Sequence, residues 1–488
     1  MMKFAVSIEN PRQFPNILAA LQIIDSTAEI NEDSPNYRLV ITRLAIDSLQ
    51  IILIDTRDQQ HKWEYRDPFF MDHRFSDSGR EQRFKEMIRL GIIALLQDEL
   101  GRTAPWGILS AVRPTKIVHY LRDRGFTIDE IRNQLHSFYL IEPAKVAMLI
   151  EVSLKQERFF KPSHVVGIYL GIPFCPTRCH YCSFPAVPLT THRHFVSDFL
   201  HKLTIEIEDT AKLCQTLGLE IESVYVGGGT PTSLSDSDFA AMVQNVSKHF
   251  YTQNTREFTV EAGRPETLTQ TKIAAMISAG VTRISINPQS MHQTTLDRIG
   301  REHTVSQVYS AVAMVRKTGL ILNMDLIAGL PGEGRIELLD SLKRVMEFEP
   351  ENITMHTLAP KRAATWRRDF KSLSSAAETE LAAAIEAGRK ILQQAGYQPY
   401  YLYRQRSILA GQENIGYAKP GFESIYNIQM MEERQTILGL GAGSVTKWVF
   451  GSGHQVVRHQ NPKCPATYCQ RIDEELVKKA QQTRLLLD

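Results

Sequence analysis

From about Val165 to Pro360, short β-branched runs alternate with longer helical patterns, and that alternation predicts successive strand–helix units feeding one parallel sheet. Six strands are expected, over Val165–Ile172, Ser223–Val226, Glu257–Glu261, Arg283–Ile286, Leu322–Ile327 and Asn352–Thr357. The segment Phe195–Leu217 reads as a helix because Phe195, Phe199 and Leu203 recur at i, i+4 and i+8. Another, Ser235–Phe250, opens on a Ser-Asp-Ser-Asp capping run. Ahead of residue 160 the character changes. Strand-like runs at Tyr37–Ala45 and Leu49–Ile54 and a helix near Phe14–Ile23 give way to an amphipathic helix at Glu81–Glu99 and a turn at Trp106–Lys116 that leads into the next helix. After Pro360 come a helix at about Ala376–Ala395, an aromatic stretch at Tyr397–Arg404 and a glycine-rich segment at Leu438–Val445.

A chain of 488 residues predicts two or three domains. With 43% hydrophobic and 23% charged residues it has the composition of a globular protein and leaves no room for long disordered tracts. A net charge of +2 argues against a nucleic-acid partner, which needs a concentrated basic footprint. No apolar run approaches the ~18 residues of a membrane span. The six cysteines, and an N-terminus that does not read as a signal peptide, lead us to expect a reducing cytoplasm.

Three of those cysteines crowd one loop, Pro173-Phe-Cys175-Pro-Thr-Arg-Cys179-His-Tyr-Cys182-Ser183. Their spacing suits three corners of an iron-sulfur cube with the fourth iron open to chelate the amino and carboxylate groups of S-adenosylmethionine (SAM). One-electron cleavage of the sulfonium then supplies a radical for hydrogen abstraction. A structural zinc site with His180 or a distant residue as fourth ligand is the bland alternative, but zinc sites usually come as two separated ligand pairs. Cys214 reads as a buried small apolar side chain in a helix, and Cys464 and Cys469 as free thiols without function.

The other candidates fall at strand ends on the same predicted edge, where parallel α/β sheets bind ligands. Val226-Gly227-Gly228-Gly229-Thr230-Pro231 would let backbone approach a cofactor closely. Glu261 closes the third strand as a cofactor contact; Gln289, Arg301 and Asp325 complete the set, an Arg fork suiting a carboxylate and an Asp a ribose diol.

With those residues in line, the chain resembles the oxygen-independent coproporphyrinogen III oxidase family of radical SAM enzymes. Tyr169-Leu-Gly-Ile-Pro-Phe-Cys175, Gly-Gly-Gly-Thr-Pro-Thr, Glu261, Gln289-Ser, Arg301 and Asp325-Leu-Ile-Ala-Gly-Leu-Pro occur in family order. Glu-Ala-Gly-Arg-Pro, Asn-Pro-Gln, Arg404-Gln405 and the long N-terminal part look most like its HemZ-type branch, described as coproporphyrinogen dehydrogenase. The resemblance implies an α/β fold. Its core, residues 161–360, would be a partial (β/α)6 TIM-like radical SAM barrel, preceded by an α+β accessory domain (1–160) and followed by a smaller C-terminal domain (361–488) that completes the substrate site. It also implies a 4Fe-4S cluster on Cys175, Cys179 and Cys182. Tyr169, Gly228, Glu261 and Val445 would contact the cluster-bound SAM, and Tyr181, Gly229, Thr230, Gln289, Arg301, Asp325 and Thr357 a second SAM site. Tyr169, Arg301 and Asp325 are the expected catalytic residues.

The activity it implies is oxidative decarboxylation of two coproporphyrinogen III propionates to vinyl groups by a SAM-derived 5'-deoxyadenosyl radical, fed by a low-potential electron donor, in haem biosynthesis. Lys361, Arg362, Arg367 and Arg368 beside Trp366, with the tyrosines at 400, 401 and 403, are candidates to receive the anionic macrocycle. Two positions depart from the family's oxidases. Those carry a further cysteine just after the cluster motif, where this chain has Ser183-Phe184, and a histidine two residues after the tyrosine, where it has Gly171. The Cys-x-Tyr-Cys-small-Phe pattern is closer to the haem-chaperone branch, so the alternative is a haem-binding radical SAM protein without oxidase turnover; a radical SAM enzyme with another substrate is the third reading.

Overall fold

Alternation within each strand decides which side chains meet helices and which turn to the opposite face, and so it positions the site. The computed structural model describes residues 2–486 apart from 26, 102–103, 110–112, 183, 185, 361–373, 406–407 and 452–454. The chain divides into two units, Met1–Leu154 and Lys155–Asp488.

The first unit is α+β. Strands β1 (Lys3–Ile8), β2 (Glu29–Ile30), β3 (Tyr37–Ala45), β4 (Ser48–Asp55) and β5 (Gln60–Arg66) form a sheet in the order β2-β1-β3-β4-β5. The first three are parallel and the last three run as an antiparallel meander. Helix α1 (Phe14–Ile24) follows β1. Helix α2 (Asp77–Leu100), capped by Ser76 and stopped at Gly101 in the left-handed region, lays Met87, Ile88, Ile92 and Leu96 into the core beside β4 and β5. Arg83 of α2, itself buried, forks onto Asp67 and Gln134. Helices α3 (Thr115–Arg122), α4 (Ile128–Asn133) and α5 (Pro143–Gln156) complete this part of the chain.

The second unit opens with β6 (Val165–Ile172), then β7 (Phe174–Cys175), β8 (Val187–Pro188), α6 (Leu189–His192), α7 (Val196–Thr216) and β9 (Glu220–Gly228). There follow α8 (Asp236–Phe250), β10 (Glu257–Glu261), α9 (Gln270–Ser278), β11 (Arg283–Gln289), α10 (Gln293–Arg298), α11 (Val305–Val315), β12 (Ile321–Ala328), α12 (Arg335–Met346) and β13 (Asn352–Thr357). The six predicted strands are β6 and β9 to β13, hydrogen-bonded in that order and all parallel, which makes the fold α/β with a partial (β/α)6 barrel at its centre. Val166, Ile168 and Leu170 on β6, Val224 and Val226 on β9 and Ile284 and Ile286 on β11 are fully buried, each contributing ~1.5–3 kcal/mol of transfer free energy. The alternate positions, Tyr169, Tyr225, Glu261, Ser285, Asn323 and Asp325, share the opposite, polar face; Tyr169 stacks beside Tyr225, and Asn323 donates to Ser285.

The C-terminal stretch was expected as a smaller domain, but its strands join the same sheet. After α13 (Ser375–Gln394), β14 (Gln398–Tyr403) and β15 (Asn414–Ala418) add antiparallel to β13. Past α14 (Ile425–Glu432), β16 (Thr436–Leu440) adds parallel to β6, and β17 (Val445–Phe450) and β18 (Gln455–Gln460) follow antiparallel, giving eleven strands before the last helix, α15 (Pro465–Arg484). The start of α14 is held by Glu257 of β10, whose carboxylate accepts from Ser424 Oγ and the Ile425 amide at 2.8 Å each. That docking stacks Tyr426 on Tyr225 and Tyr169, with ring centroids 4.1 and 5.9 Å away. Tyr400 and Tyr401, expected as macrocycle contacts, are buried in a core cluster with Phe159, Ile425 and Ile428, so they do not offer an open surface; Tyr403 is half-buried. Lys361, Arg362, Trp366, Arg367 and Arg368 lie outside the described residues.

Candidate functional site

The cysteine loop leaves the end of β6 and is fastened to the turn that ends β9. The Gly229 amide donates to Ile172 O at 2.8 Å, the Thr230 amide to Phe174 O at 2.7 Å, and Ser233 Oγ to the same carbonyl at 3.2 Å. A Cβ on Gly229 would lie 2.6 Å from Phe174 O and 3.0 Å from Cys175 Sγ, and Gly228 has φ +111°, so neither position accepts a side chain. The glycines thus serve the loop itself as well as any ligand at this edge. On its other side the loop is pinned by the His180 amide on Ile299 O (3.0 Å) and His180 Nδ1 against Arg298 O (3.1 Å).

All six cysteines are free thiols. Cys179 is buried, and Cys175 and Cys182 are partly so. Burial pushes the Cys175 thiol up to about 11 and raises that of Cys182, a cost that a bound metal would offset by holding thiolates. Polar donors already face the sulfurs: Thr230 Oγ1 lies 3.4 Å from Cys175 Sγ, and Arg264 Nη1 lies 3.6 Å from Cys179 Sγ. Cys214 is buried on α7 as expected, and burial pushes its thiol up to about 12.

Glu261 sits at the end of β10 and accepts a 2.5 Å hydrogen bond from Tyr225. Desolvation lifts its carboxyl to about 7, helped by the nearby Asp325 and opposed by Tyr225 and the Gly228 backbone. Asp325 is inside β12 rather than past its end. It accepts from Asn323 Nδ2 at 3.0 Å and faces His356 Nε2 of β13 at 3.5 Å, while His356 Nδ1 meets the Tyr403 hydroxyl at 3.3 Å. Sequence reasoning missed His356; its register, two residues after Thr354 on one strand face, was the available signal.

Gln289 ends β11 at φ +69°, a conformation rare outside glycine, where the β11–β12 register shifts; its side chain is nine-tenths buried and Oε1 has no protein partner. Arg301 is buried, and its fork is spent on protein groups: Nη1 on Tyr181 OH at 3.1 Å, and Nη2 on Asn287 O at 2.6 Å and on Gly263 O. It therefore ties Tyr181 of the cysteine loop to the ends of β10 and β11. Thr357 is buried and turns its hydroxyl to Glu413 O at 2.9 Å, a link into β15. Val445 opens β17, with its carbonyl so close to β16 that a Cβ on Gly439 would lie 2.8 Å from it.

Sequence reasoning also missed the anchor of the glycine-rich turn. Glu206 of α7, wholly buried, accepts from the Gly441 amide (2.7 Å), Asn461 Nδ2 (2.9 Å), Tyr468 OH (2.6 Å) and Lys479 Nζ (2.6 Å). This fixes the turn over β6, where a Cβ on Gly441 would overlap the Gly171 carbonyl.

Residues 169–345 match the family model of the Radical SAM superfamily. The chain is 38% identical over 418 residues to the oxygen-independent coproporphyrinogen-III oxidase-like protein HemZ of Bacillus subtilis, an alignment covering 83% of each chain. It is 28% identical over 309 residues to the heme chaperone HemW of Haemophilus influenzae, covering 62% of this chain and 75% of that one. Among solved structures it resembles coproporphyrinogen III oxidase (HemN) from Escherichia coli, described as a radical SAM enzyme, with TM-score 0.52 and 22% identity over 66% of this chain and 73% of the other, a likeness of fold.

Proposed function

Since the chain belongs to the HemZ family of oxygen-independent coproporphyrinogen-III oxidase-like radical SAM proteins, we propose that it converts two propionate side chains of coproporphyrinogen III to vinyl groups. The superfamily implies a 4Fe-4S cluster and SAM, and the residues present fit both: three thiols in one loop, hydrogen-bond donors at two of them, and a glycine turn bonded onto the loop. When bound, that pair supplies hydrogen abstraction from unactivated carbon. The observation that carries the reading is the convergence of this loop with Glu261 through the single β9 turn.

Cys175, Cys179 and Cys182 hold three irons in this reading. Tyr169, Gly228, Glu261 and Val445 border the cluster-bound SAM, and Tyr181, Gly229, Thr230, Gln289, Asp325 and Thr357 the second SAM site. Arg301 acts there through Tyr181, because its fork is already engaged. Gln289, strained and unpartnered on one oxygen, is the member best placed to gain from a ligand. Residues 361–488 complete the substrate side, a role supported by Tyr403 reaching His356 from β14. At each propionate a β-carbon hydrogen atom is removed, carbon dioxide leaves, and a one-electron acceptor takes the remaining electron; a low-potential donor supplies the electron that starts each round.

A second reading, a haem-binding protein without turnover, is supported by Gly171. The room beside it, where the family's oxidases carry histidine, holds Ala442 O and Ser444 Cβ at 3.3 and 3.5 Å from a would-be Cβ. Anaerobic assay of reconstituted protein separates the two. An oxidase releases two 5'-deoxyadenosines per protoporphyrinogen, with deuterium carried over from the propionate β-carbon. Tight haem binding with no labelled deoxyadenosine and no vinyl product would overturn the oxidase reading.

A further inference from the structure

Arg264 follows β10 and is nearly fully buried, at 2% exposure. Its guanidinium is aimed at the cysteine loop: Nη1 lies 3.6 Å from Cys179 Sγ and 3.5 Å from Thr177 O, and Nη2 donates to Thr177 Oγ1 at 3.2 Å. Nε is held from behind by Glu266 at 2.7 Å. A buried cation is costly unless its hydrogen bonds and charge are met, and one carboxylate meets only part of what this region holds. Arg301, also buried, lies on the same side of the loop through Tyr181. His303, between Arg301 and Glu266, is kept neutral at neutral pH, since burial and the two arginines push it down to about 3. Two guanidiniums thus face one carboxylate beneath the loop, leaving an excess of positive charge beside Cys179.

We infer that Arg264 tunes the cluster, donating a charge-assisted hydrogen bond to the Cys179 sulfur that favours the reduced state. The assignment rests on Cys179 being a cluster ligand. A cubane on three thiolates is a net anion that gains further negative charge when it accepts one electron, and both an adjacent cation and a hydrogen bond to sulfur stabilise that added charge. Glu266 works against it, since it partly cancels the guanidinium. Arg264 is a positioning and tuning residue: it touches the ligand sulfur and need not touch SAM or substrate.

The test is a redox titration of the reconstituted full chain, with dithionite as reductant and the reduced cluster read by electron paramagnetic resonance, alongside iron and sulfide content. Arg264→Gln should retain the cluster and lower the reduced-to-oxidised ratio at fixed potential about tenfold, a negative shift of about 59 mV for one electron. Glu266→Gln should move the potential the opposite way. The opposed signs distinguish charge from mere loosening, because water admitted beside the cluster favours the more charged reduced state and would raise the potential in both variants. If Arg264→Gln cannot be loaded, Arg264→Lys decides in its place: it gives up the fork that reaches the sulfur, so a fall in potential supports the assignment and an unchanged or higher potential refutes it. Loaded variants with unmoved potentials, or with shifts of the same sign, would overturn the tuning role alone. A wild type that takes up no iron would overturn the cluster reading and this role with it.

Discussion

Replacing Lys479 by Met tests the claim that the far C-terminal helix holds the glycine-rich turn in place. Lys479 Nζ donates to Glu206 at 2.6 Å and to Gly439 O at 2.8 Å, and the side chains of Lys479 and Glu206 are 1% and 0% exposed. Met conserves the stem and removes the charge, so Glu206 keeps its three neutral donors but loses its counterion. Breaking one side of a buried pair costs ~3–5 kcal/mol because the remaining charge stays buried. The second unit is roughly 330 residues long, and at ~2.1 cal/mol/K per residue its unfolding entropy is ~0.7 kcal/mol/K, so ~4 kcal/mol lowers Tm by about 6 °C. Thermal unfolding followed by circular dichroism reads that drop. The double variant Glu206→Gln with Lys479→Met removes the orphaned charge and should recover part of it. Because Glu206 also receives the Gly441 amide, SAM affinity of the loaded protein should fall in the single variant. A Tm change under about 1 °C, or a double variant no more stable than the single, would refute the reasoning.

Converting Cys175, Cys179 or Cys182 to Ala should remove most bound iron and the absorption near about 400 nm, whereas Cys214→Ala, Cys464→Ala and Cys469→Ala should leave iron content unchanged; iron assay and spectra of reconstituted protein check both halves. Gly229→Ala should also lose iron, because its Cβ would press on Phe174 O and Cys175 Sγ, while Gly228→Val should suppress SAM cleavage through strain at φ +111°. Glu261 is raised in the fold from 4.5 to about 7, so its contribution to stability is full below the unfolded value and is lost as pH rises through about 7; the apo-protein should lose roughly 1–3 kcal/mol between pH 5 and pH 8, and Glu261→Gln should flatten that profile in pH-dependent unfolding.

The six parallel strands were legible because each carries a β-branched or aliphatic run on its helix-facing side, as in Val166, Ile168 and Leu170. Their polar faces extended several of them beyond the predicted ends; β11 runs on through Asn287 to Gln289, which hydrophobicity alone does not mark. The division of the chain was read a few residues late. Phe159 packs with Tyr400 and Ile425, and Gln156 donates to Tyr400 O at 3.1 Å, so the segment before residue 161 already belongs to the second unit. The C-terminal strands were obscured by short, glycine-broken segments, whose place in the sheet depends on pairing with β6 and β13 rather than on local pattern. The cysteines, Glu261 and Asp325 declared themselves by residue type at strand ends or within strands. Arg264, His356 and Glu206 did not, because their meaning lies in partners far along the chain: 85 residues separate Arg264 from Cys179, and 273 separate Glu206 from Lys479.

Those long-range partners bear on the choice between catalysis and carriage. Gly171 lies between the tyrosine stack of Tyr169 and the start of the cysteine loop, and the turn from Gly441 to Ser444 presses on it from the C-terminal strands. A side chain at 171 would press on that turn, with Ala442 O and Ser444 Cβ 3.3 and 3.5 Å from its Cβ, and the turn is held by Glu206 and, through it, by Asn461, Tyr468 and Lys479. The glycine at 171 therefore belongs to the packing of this chain rather than being a lone surface feature. The imidazole that the barrel presents near its polar face is His356, held between Asp325 and Tyr403.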